Sequence, residues 1–396
     1  MDRLLDKLRW IRTSRNETVQ AQARLLRLGG VEQLVEAVDT TIEWTDHRGR
    51  KTTETIHSLE GGDDRNPPLI YFPGYAAASG FIFRNLGQWI GRFSVKAVDF
   101  LGTGLSSRPS FRARTTREAE DFFIESFELW RRKRNIEKFT LVGHSMGGYL
   151  AATYALRHPE HVSHLVLVCP AGIGKRPDDW EEKIPPALKN PFTIRGMLFR
   201  SAQSLWDWGL TPGGLIRALG PLGKTIVQGY TQRRFITGNH LTEEEVAAFS
   251  EFMYGCVAAK GSGEYALRHI LMPFAFARSP LETRMAELTV PVSFIYGESD
   301  WMDRQAGHRA IESIKARRPP LVEGDCKLVE IRNAGHYCQI EQKDMFFREM
   351  LGMLGMDAGA MVVEEEAGEA IETAEQLEEE WNTAPMSAAT HVVEGL

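Results

Sequence analysis

Residues 138–157 read Lys138-Phe139-Thr140-Leu141-Val142-Gly143-His144-Ser145-Met146-Gly147-Gly148-Tyr149-Leu150-Ala151-Ala152-Thr153-Tyr154-Ala155-Leu156-Arg157. A short β-prone apolar run enters Gly-x-Ser-x-Gly and leaves through a run of good helix formers, so the stretch predicts a strand, a sharp turn and a helix. The glycines have a steric reason. A turn that lifts a serine hydroxyl above the end of a strand brings backbone segments too close for a Cβ at 143 and 147, and Gly148 lets the helix settle on the sheet. Ser145 is therefore a candidate nucleophile. The pentapeptide alone also occurs in plain turns, and its weight depends on partners elsewhere in the chain.

The 396 residues have ordinary apolar (43%) and charged (25%) fractions, enough for one large α/β domain with insertions or for two domains. The net charge of -6 is unevenly spread. Residues 357–396 hold 11 acidic and no Lys or Arg residues, which leaves 47 basic against 42 acidic, a mildly basic +5, for residues 1–356. That excess is too diffuse to argue for nucleic acid, while anionic lipid surfaces are compatible with it. Cys169, Cys256, Cys326 and Cys338 are far apart and form no CxxC pair, so neither a zinc site nor a disulfide framework is implied, and a reducing, cytoplasmic setting is the simplest expectation. No metal or other cofactor is implied. Neither a spanning apolar run nor a secretory signal is evident, so membrane contact is expected to be peripheral.

Residues 1–38 read as an amphipathic helical segment, with Leu4, Leu8, Ile11 and Trp10 among Lys7, Arg9, Arg12 and Arg15. Three readings stay open for its start: a solvated helix, an interfacial anchor with Trp10 at headgroup level, and a mitochondrial transit segment, the last opposed by Asp2, Asp6 and Glu17. Residues 40–44 and 52–57 alternate as a hairpin. Residues 69–72 and 93–100 are buried strands, 115–135 a helix facing the sheet through Ala119, Phe122, Phe123, Phe127 and Trp130, and 162–169 a sixth strand. The glycines of Leu101-Gly102-Thr103-Gly104 lack the third glycine of a dinucleotide loop and read as a structural turn. The α/β alternation then stops until residue 290. Residues 171–285 are expected to form a helical cap, rich in Trp, Met and Phe, in which 192–236 carry six basic residues against Asp207 alone. Trp206, Trp208, Leu210, Leu215 and Ile216 are expected to pack it onto the body. Two stretches resume the sheet. One ends in Gly297-Glu298-Ser299-Asp300-Trp301-Met302-Asp303, and the other in Asn333-Ala334-Gly335-His336.

The order Ser145, Asp300, His336 matches the serine, acid, histidine order of the α/β-hydrolase fold, a mostly parallel central sheet with the cap inserted after the sixth strand. The expected core is 39–170 with 286–356. A serine hydroxyl is a poor nucleophile near neutral pH, so His336 must take its proton, and a carboxylate must hold the other ring nitrogen. Asp300 lies three residues past Gly297 and is the expected acid, with Asp303 as the alternate and Glu298 behind both. His144, His161, His164 and His240 read as packed or surface histidines. In this fold the loop after the third strand supplies an oxyanion donor. Pro73 has no N–H, so Gly74 is expected to turn the loop and the amides of Tyr75 and Met146 to be the donor pair.

Residues 25–354 resemble the α/β-hydrolase-domain-containing 4/5 subfamily of lipid enzymes. The resemblance is carried by Asp99-Phe100-Leu101-Gly102 through Ser107-Arg108-Pro109, Phe127-Glu128-Leu129-Trp130, the elbow, Gly261-Ser262-Gly263-Glu264, Arg278-Ser279-Pro280, Asp300-Trp301-Met302-Asp303 and Gly335-His336-Tyr337. It implies a phospholipid, lysophospholipid or N-acyl phospholipid substrate and work at a membrane or lipid-droplet surface. The expected activity is acyl-ester hydrolysis through an acyl-enzyme. The alternatives are acyl transfer from acyl-CoA to a lysophospholipid, and a non-catalytic lipase regulator, which the retained Ser145 opposes. The subfamily's acyltransferase signature His-x4-Asp reads His336-x4-Glu341 here, a lengthened carboxylate. The tail 357–396 lies outside the resemblance. Its charge and low apolar content predict disorder, and it names no protein partner.

Overall fold

A computed structural model describes residues 10–357 apart from 12, 181–183, 191, 194–196, 198–199, 202–203, 205, 207–208, 237–239 and 318–324. Eight strands, β1 (Val35–Thr45), β2 (Lys51–Gly61), β3 (Pro68–Phe72), β4 (Ser94–Val98), β5 (Phe139–His144), β6 (Val162–Val168), β7 (Val292–Gly297) and β8 (Cys326–Ile331), form one sheet in the order β1-β2-β4-β3-β5-β6-β7-β8. β1 and β2, and β2 and β4, pair antiparallel; every other neighbouring pair is parallel.

The inner parallel strands β3, β5, β6 and β7 are largely apolar because both faces are covered by helices, while the edge strand β8 is half-buried. Successive side chains divide between two cores. Leu69 and Tyr71 of β3, with Val166 and Val168 of β6, point to one core; Ile70 and Phe72, with Leu165 and Leu167, point to the other. Helices α1 (Arg15–Leu28) and α2 (Phe83–Ile90) build the first core, and α3 (Thr116–Lys133) and α4 (Met146–Arg157) the second. α3 begins where Thr115 accepts the Glu118 amide at 3.2 Å and ends in Arg131, Arg132 and Lys133, so both termini meet complementary groups. Its stripe of Ala119, Phe122, Phe123, Phe127 and Trp130 is buried throughout.

Between β6 and β7 the described residues form α5 (Pro212–Ala218), α6 (Pro221–Phe235) and α7 (Glu243–Ala258), with shorter turns. After β7 come α8 (Arg304–Arg317) and, beyond β8, α9 (Lys343–Met353). Trp208, Leu4 and Leu8 lie outside the described residues, as do 358–396 of the tail. Ile216 is buried and Trp206 half-buried against the second core, whereas Leu210 and Leu215 are largely exposed.

Two expectations need correcting. The first hairpin is longer than its alternating centre, pairing from Val35↔Gly61 to Thr45↔Lys51, so the boundary at 38 falls inside β1. The outer part of β1 carries exposed Glu36 and Ala37, which blur the apolar period, and backbone pairing continues regardless. Second, the described part of the N-terminal helix is an integral core element. Ala21, Leu25 and Leu26 are buried in the first core beside Phe249, Phe252 and Met253 of α7, so α1 pins the last cap helix to the body. Leu25→Ala is expected to cost about 2–5 kcal/mol through lost burial and an unfilled cavity. Urea unfolding measures this; a change below about 0.5 kcal/mol, ordinary for a surface site, would remove α1 from the core.

The topology decides where chemistry can occur. β5, β6, β7 and β8 are successive parallel neighbours, and the segments carrying Ser145, the cap, Asp300 and His336 leave their carboxyl ends in turn. The loop after β3 leaves beside the serine. Residues nearly 200 positions apart therefore meet at one edge, the usual place for ligands in such sheets. No helix among the described residues is long and apolar enough to cross a membrane.

Candidate active site

Ser145 occupies φ 54°, ψ -119°, a left-handed conformation for a residue with a Cβ, and its amide donates to Val168 O at 2.9 Å across the neighbouring strand. Strain of this kind costs on the order of 1–3 kcal/mol and persists where the surroundings enforce it. Here the glycines enforce it: a Cβ on Gly143 would lie 2.5 Å from Gly147 O, and one on Gly147 would lie 2.3 Å from Phe72 O. The Ser145 carbonyl accepts from the amides of Gly148, Tyr149 and Ala171, which fixes the start of α4.

His336 Nε2 is 3.0 Å from Ser145 Oγ, and His336 Nδ1 is 2.9 Å from Asp300 Oδ1. With Nδ1–H donating to the carboxylate, Nε2 keeps its lone pair for the serine proton. Asp300 Oδ1 also accepts from Met302 N at 3.2 Å. Burial pushes the Asp300 carboxyl up, but the His336 charge and hydrogen bond outweigh it and hold the group below the usual carboxylate range. Asp303 sits elsewhere, accepting from Ala306 N at 3.2 Å and pairing with Arg309 at 2.9 Å. Glu298 accepts from Asn333 N. Three candidate residues are thus brought into one hydrogen-bonded line, and the two other carboxylates bind loop and helix backbone.

His144 lies beneath this line. Its Nε2–H donates to the carbonyl of His336 at 2.8 Å, and its pKa is lowered to about 3 by burial first and then by the neighbouring His336. It therefore remains neutral and serves as a donor. His161 donates to Glu137 O and His164 meets Ser293, both remote from Ser145. Among the described residues Cys169, Asp300 and His336 form the one grouping of metal-ligating types, their donor atoms within 4.8 Å of one another. Asp300 and His336 are already committed to each other, and burial holds the Cys169 thiol protonated, so this set is poor in free ligands.

The loop after β3 passes directly over the serine. A Cβ on Gly74 would stand 3.0 Å from Ser145 Cβ and 3.1 Å from His144 Nδ1, and Ala76 takes φ 57° to turn the chain. The amides of Tyr75 and Met146 engage no acceptor among the described residues. The Tyr75 phenol is buried, where the Gly213 amide approaches its oxygen at 3.5 Å, so the loop is tied to the cap as well as to the elbow.

Two further groups meet at the His336 loop: Glu341, marked in the sequence only by the His336-x4-Glu341 spacing that the resemblance supplies, and Arg234, which carries no signal there. Glu341 is buried; its Oε2 accepts from the Gly335 amide, its Oε1 from the Tyr337 amide at 3.3 Å, and it forms an ion pair with Arg234 of α6. A contact spanning 107 positions leaves no local pattern to read.

Residues 67–343 match the family described as alpha/beta hydrolase fold. The chain is 38% identical over 353 residues to a probable 1-acylglycerol-3-phosphate O-acyltransferase of Oryza sativa subsp. japonica, covering 86% of this chain and 81% of that one. It is 33% identical over 285 residues to the (lyso)-N-acylphosphatidylethanolamine lipase of Mus musculus, covering 70% and 76%. Among solved structures, a carboxylesterase of Bacillus subtilis superposes with a TM-score of 0.54 at 19% identity, covering 88% of this chain and 99% of that one, a likeness of fold.

Proposed function

The chain belongs to the alpha/beta hydrolase fold family, in the branch that holds these lipases and acyltransferases, and from that premise we propose that it is a serine hydrolase removing acyl groups from phospholipids or lysophospholipids. The observation that carries this reading is the line from Ser145 Oγ through His336 to Asp300, beside two amides that engage no acceptor among the described residues. Ser145 Oγ attacks the acyl carbonyl carbon as His336 Nε2 takes its proton. The Tyr75 and Met146 amides receive the developing oxyanion. The intermediate collapses; the acyl–oxygen bond of an ester breaks and the imidazolium returns its proton to the departing alcohol, or the acyl–nitrogen bond of an N-acyl substrate breaks and the proton goes to the departing amine. Water then adds to the acyl-enzyme with His336 as base, releasing the fatty acid and restoring Ser145.

A lipid substrate is supported by the activities that the relatives are named for and by the cap surface. Phe192 (94% exposed), Leu222 (64%) and Met197 stand in solvent within the basic stretch 192–236, and Trp10 (61%) lies against the cap with its indole N–H on Arg217 O at 2.9 Å. Apolar side chains among cations suit a peripheral contact with anionic headgroups. The second reading, acyl transfer to a lysophospholipid, is favoured by the rice relative's name at higher identity and coverage than the mouse lipase. Both share the acyl-enzyme and differ in what attacks it.

The test is labelling by a fluorophosphonate probe followed by a lipid panel with and without acyl-CoA. Labelling of the wild type and its loss in Ser145→Ala are expected, with free fatty acid released from phospholipid without acyl-CoA. A folded wild type that does not label removes the serine mechanism. Lysophospholipid consumed only with acyl-CoA makes the transferase the activity.

A further inference from the structure

We propose that Glu341, locked by Arg234 of the cap, is the positioning residue that sets the height of His336 over Ser145. This rests on the reading of Ser145, His336 and Asp300 as the site. The backbone on both sides of His336 is held by one carboxylate. Its Oε2 accepts from the Gly335 amide and its Oε1 from the Tyr337 amide at 3.3 Å, so the peptide units flanking the imidazole are fixed to one rigid fork. The carbonyl of His336 itself is held from below by His144 Nε2 at 2.8 Å. With its carbonyl and both neighbouring amides tethered, the residue has little freedom to rise from the serine.

The fork is closed by the cap. Arg234 pairs with Glu341 Oε1, and its guanidinium stands 5.7 Å over the Tyr337 ring. Tyr230, one turn earlier on α6, meets the Tyr337 hydroxyl at 3.4 Å, and Phe235 packs edge-on against the same ring at 5.5 Å. A Cβ on Gly335 would lie 2.7 Å from Arg234 Nη2, so a side chain there would push the cap cation off the loop. α6 therefore grips the segment that carries the base, and a cap shift that withdraws Arg234 loosens the fork at one oxygen. Cap position and base position are coupled through this ion pair.

The same geometry bears on the His336-x4-Glu341 spacing. Both carboxylate oxygens are spent on loop amides and Arg234, and the side chain is buried, so it is turned to the protein rather than to a substrate. Five residues is the separation at which a short helical turn, Cys338–Glu341, folds its last side chain back onto the loop it follows.

The experiment compares Glu341→Gln, Arg234→Gln and their combination with the wild type, by fluorophosphonate labelling rate and by steady-state hydrolysis of a soluble short-chain ester. Thermal melts first establish which variants are folded. Gln keeps the shape but aims an NH2 at an amide that needs an acceptor, so Glu341→Gln is expected to lower kcat about 10- to 100-fold with KM within about twofold, the scale of a misplacement near 1 Å. Arg234→Gln is expected to lower kcat less, about 3- to 10-fold, with the double variant no worse than Glu341→Gln, since Arg234 acts through Glu341. Glu341→Asp, which keeps the charge, is expected to recover part of the loss. If Glu341→Gln does not fold, Arg234→Gln carries the test. Wild-type labelling and kcat in a folded Arg234→Gln or Glu341→Gln overturn the proposal. So does loss of acyl transfer alone with ester hydrolysis intact, which would make Glu341 an acyl-transfer group. A wild type that fails to label defeats the serine-site reading instead, a result distinct from either.

Discussion

His336→Ala is expected to lower kcat for ester hydrolysis by about 10⁶ while leaving the fold intact, and Ser145→Ala to do the same, with the double variant no slower than either single one. The size follows from the geometry. Ser145 Oγ is 3.0 Å from His336 Nε2, and among the described residues no other side chain donates to or accepts from that hydroxyl. Without the imidazole the serine stays protonated, and what remains is substrate positioning and the two amides. Those survive in every variant, so the residual rate should plateau at a common level rather than fall further. Single-turnover release of a chromogenic leaving group measures this. A loss of only tenfold in His336→Ala, or losses that multiply in the double variant, would mean that the two residues do not act as a unit.

The elbow is readable without a structure because its cause is local. The glycines at 143 and 147 mark the crowding of strand, turn and helix: a Cβ on Gly143 would meet Gly147 O within the turn itself, and one on Gly147 would meet Phe72 O of the neighbouring strand. The apolar runs 69–72 and 165–168 are readable for a similar reason: both faces meet helices, and these residues are buried throughout. What lies beyond sequence reasoning depends on who arrives from elsewhere. Residues 35–39 extend β1 although Glu36 and Asp39 spoil the period, because β2 supplies the partner. The basic, apolar pattern near the N-terminus is equally consistent with water, a headgroup layer or a protein surface. Only the presence of Phe249 and Phe252 decides that Leu25 and Leu26 are core. Arg234 and Glu341 are the extreme case, two ordinary charges whose meeting is set by cap topology.

The same distinction governs the acid, where sequence spacing left two carboxylates three residues apart. Asp300→Ala is expected to lower kcat about 10⁴-fold, and Asp303→Ala to leave kcat within about threefold while costing about 0.5–2 kcal/mol of stability, because the first holds the base and the second caps a helix. The turn that follows Gly297 separates them. The Asp300 amide donates to Gly297 O at 3.1 Å, folding Asp300 back toward the sheet edge, where its Oδ1 meets His336 Nδ1 at 2.9 Å. Asp303, past the turn, opens α8 by accepting from Ala306 N and holds Arg309 on the surface. Losing Asp300 removes both the acceptor that fixes the tautomer and the charge that stabilises the imidazolium. The pH profile is a second readout. Since His336 holds Asp300 below the usual carboxylate range, this group is ionised throughout the range near neutrality, and its protonation does not shape the rate there. As a group with a depressed folded pKa, Asp300 contributes stability that is present above its unfolded pKa, about 3.8–3.9, and lost only as pH falls through the lower folded value. Kinetics should therefore separate the two variants, the large rate loss being confined to Asp300→Ala, while urea melts report stability lost in both. The larger rate loss in Asp303→Ala would transfer the acid's role to Asp303 and require the 297–303 turn to rearrange in the working enzyme.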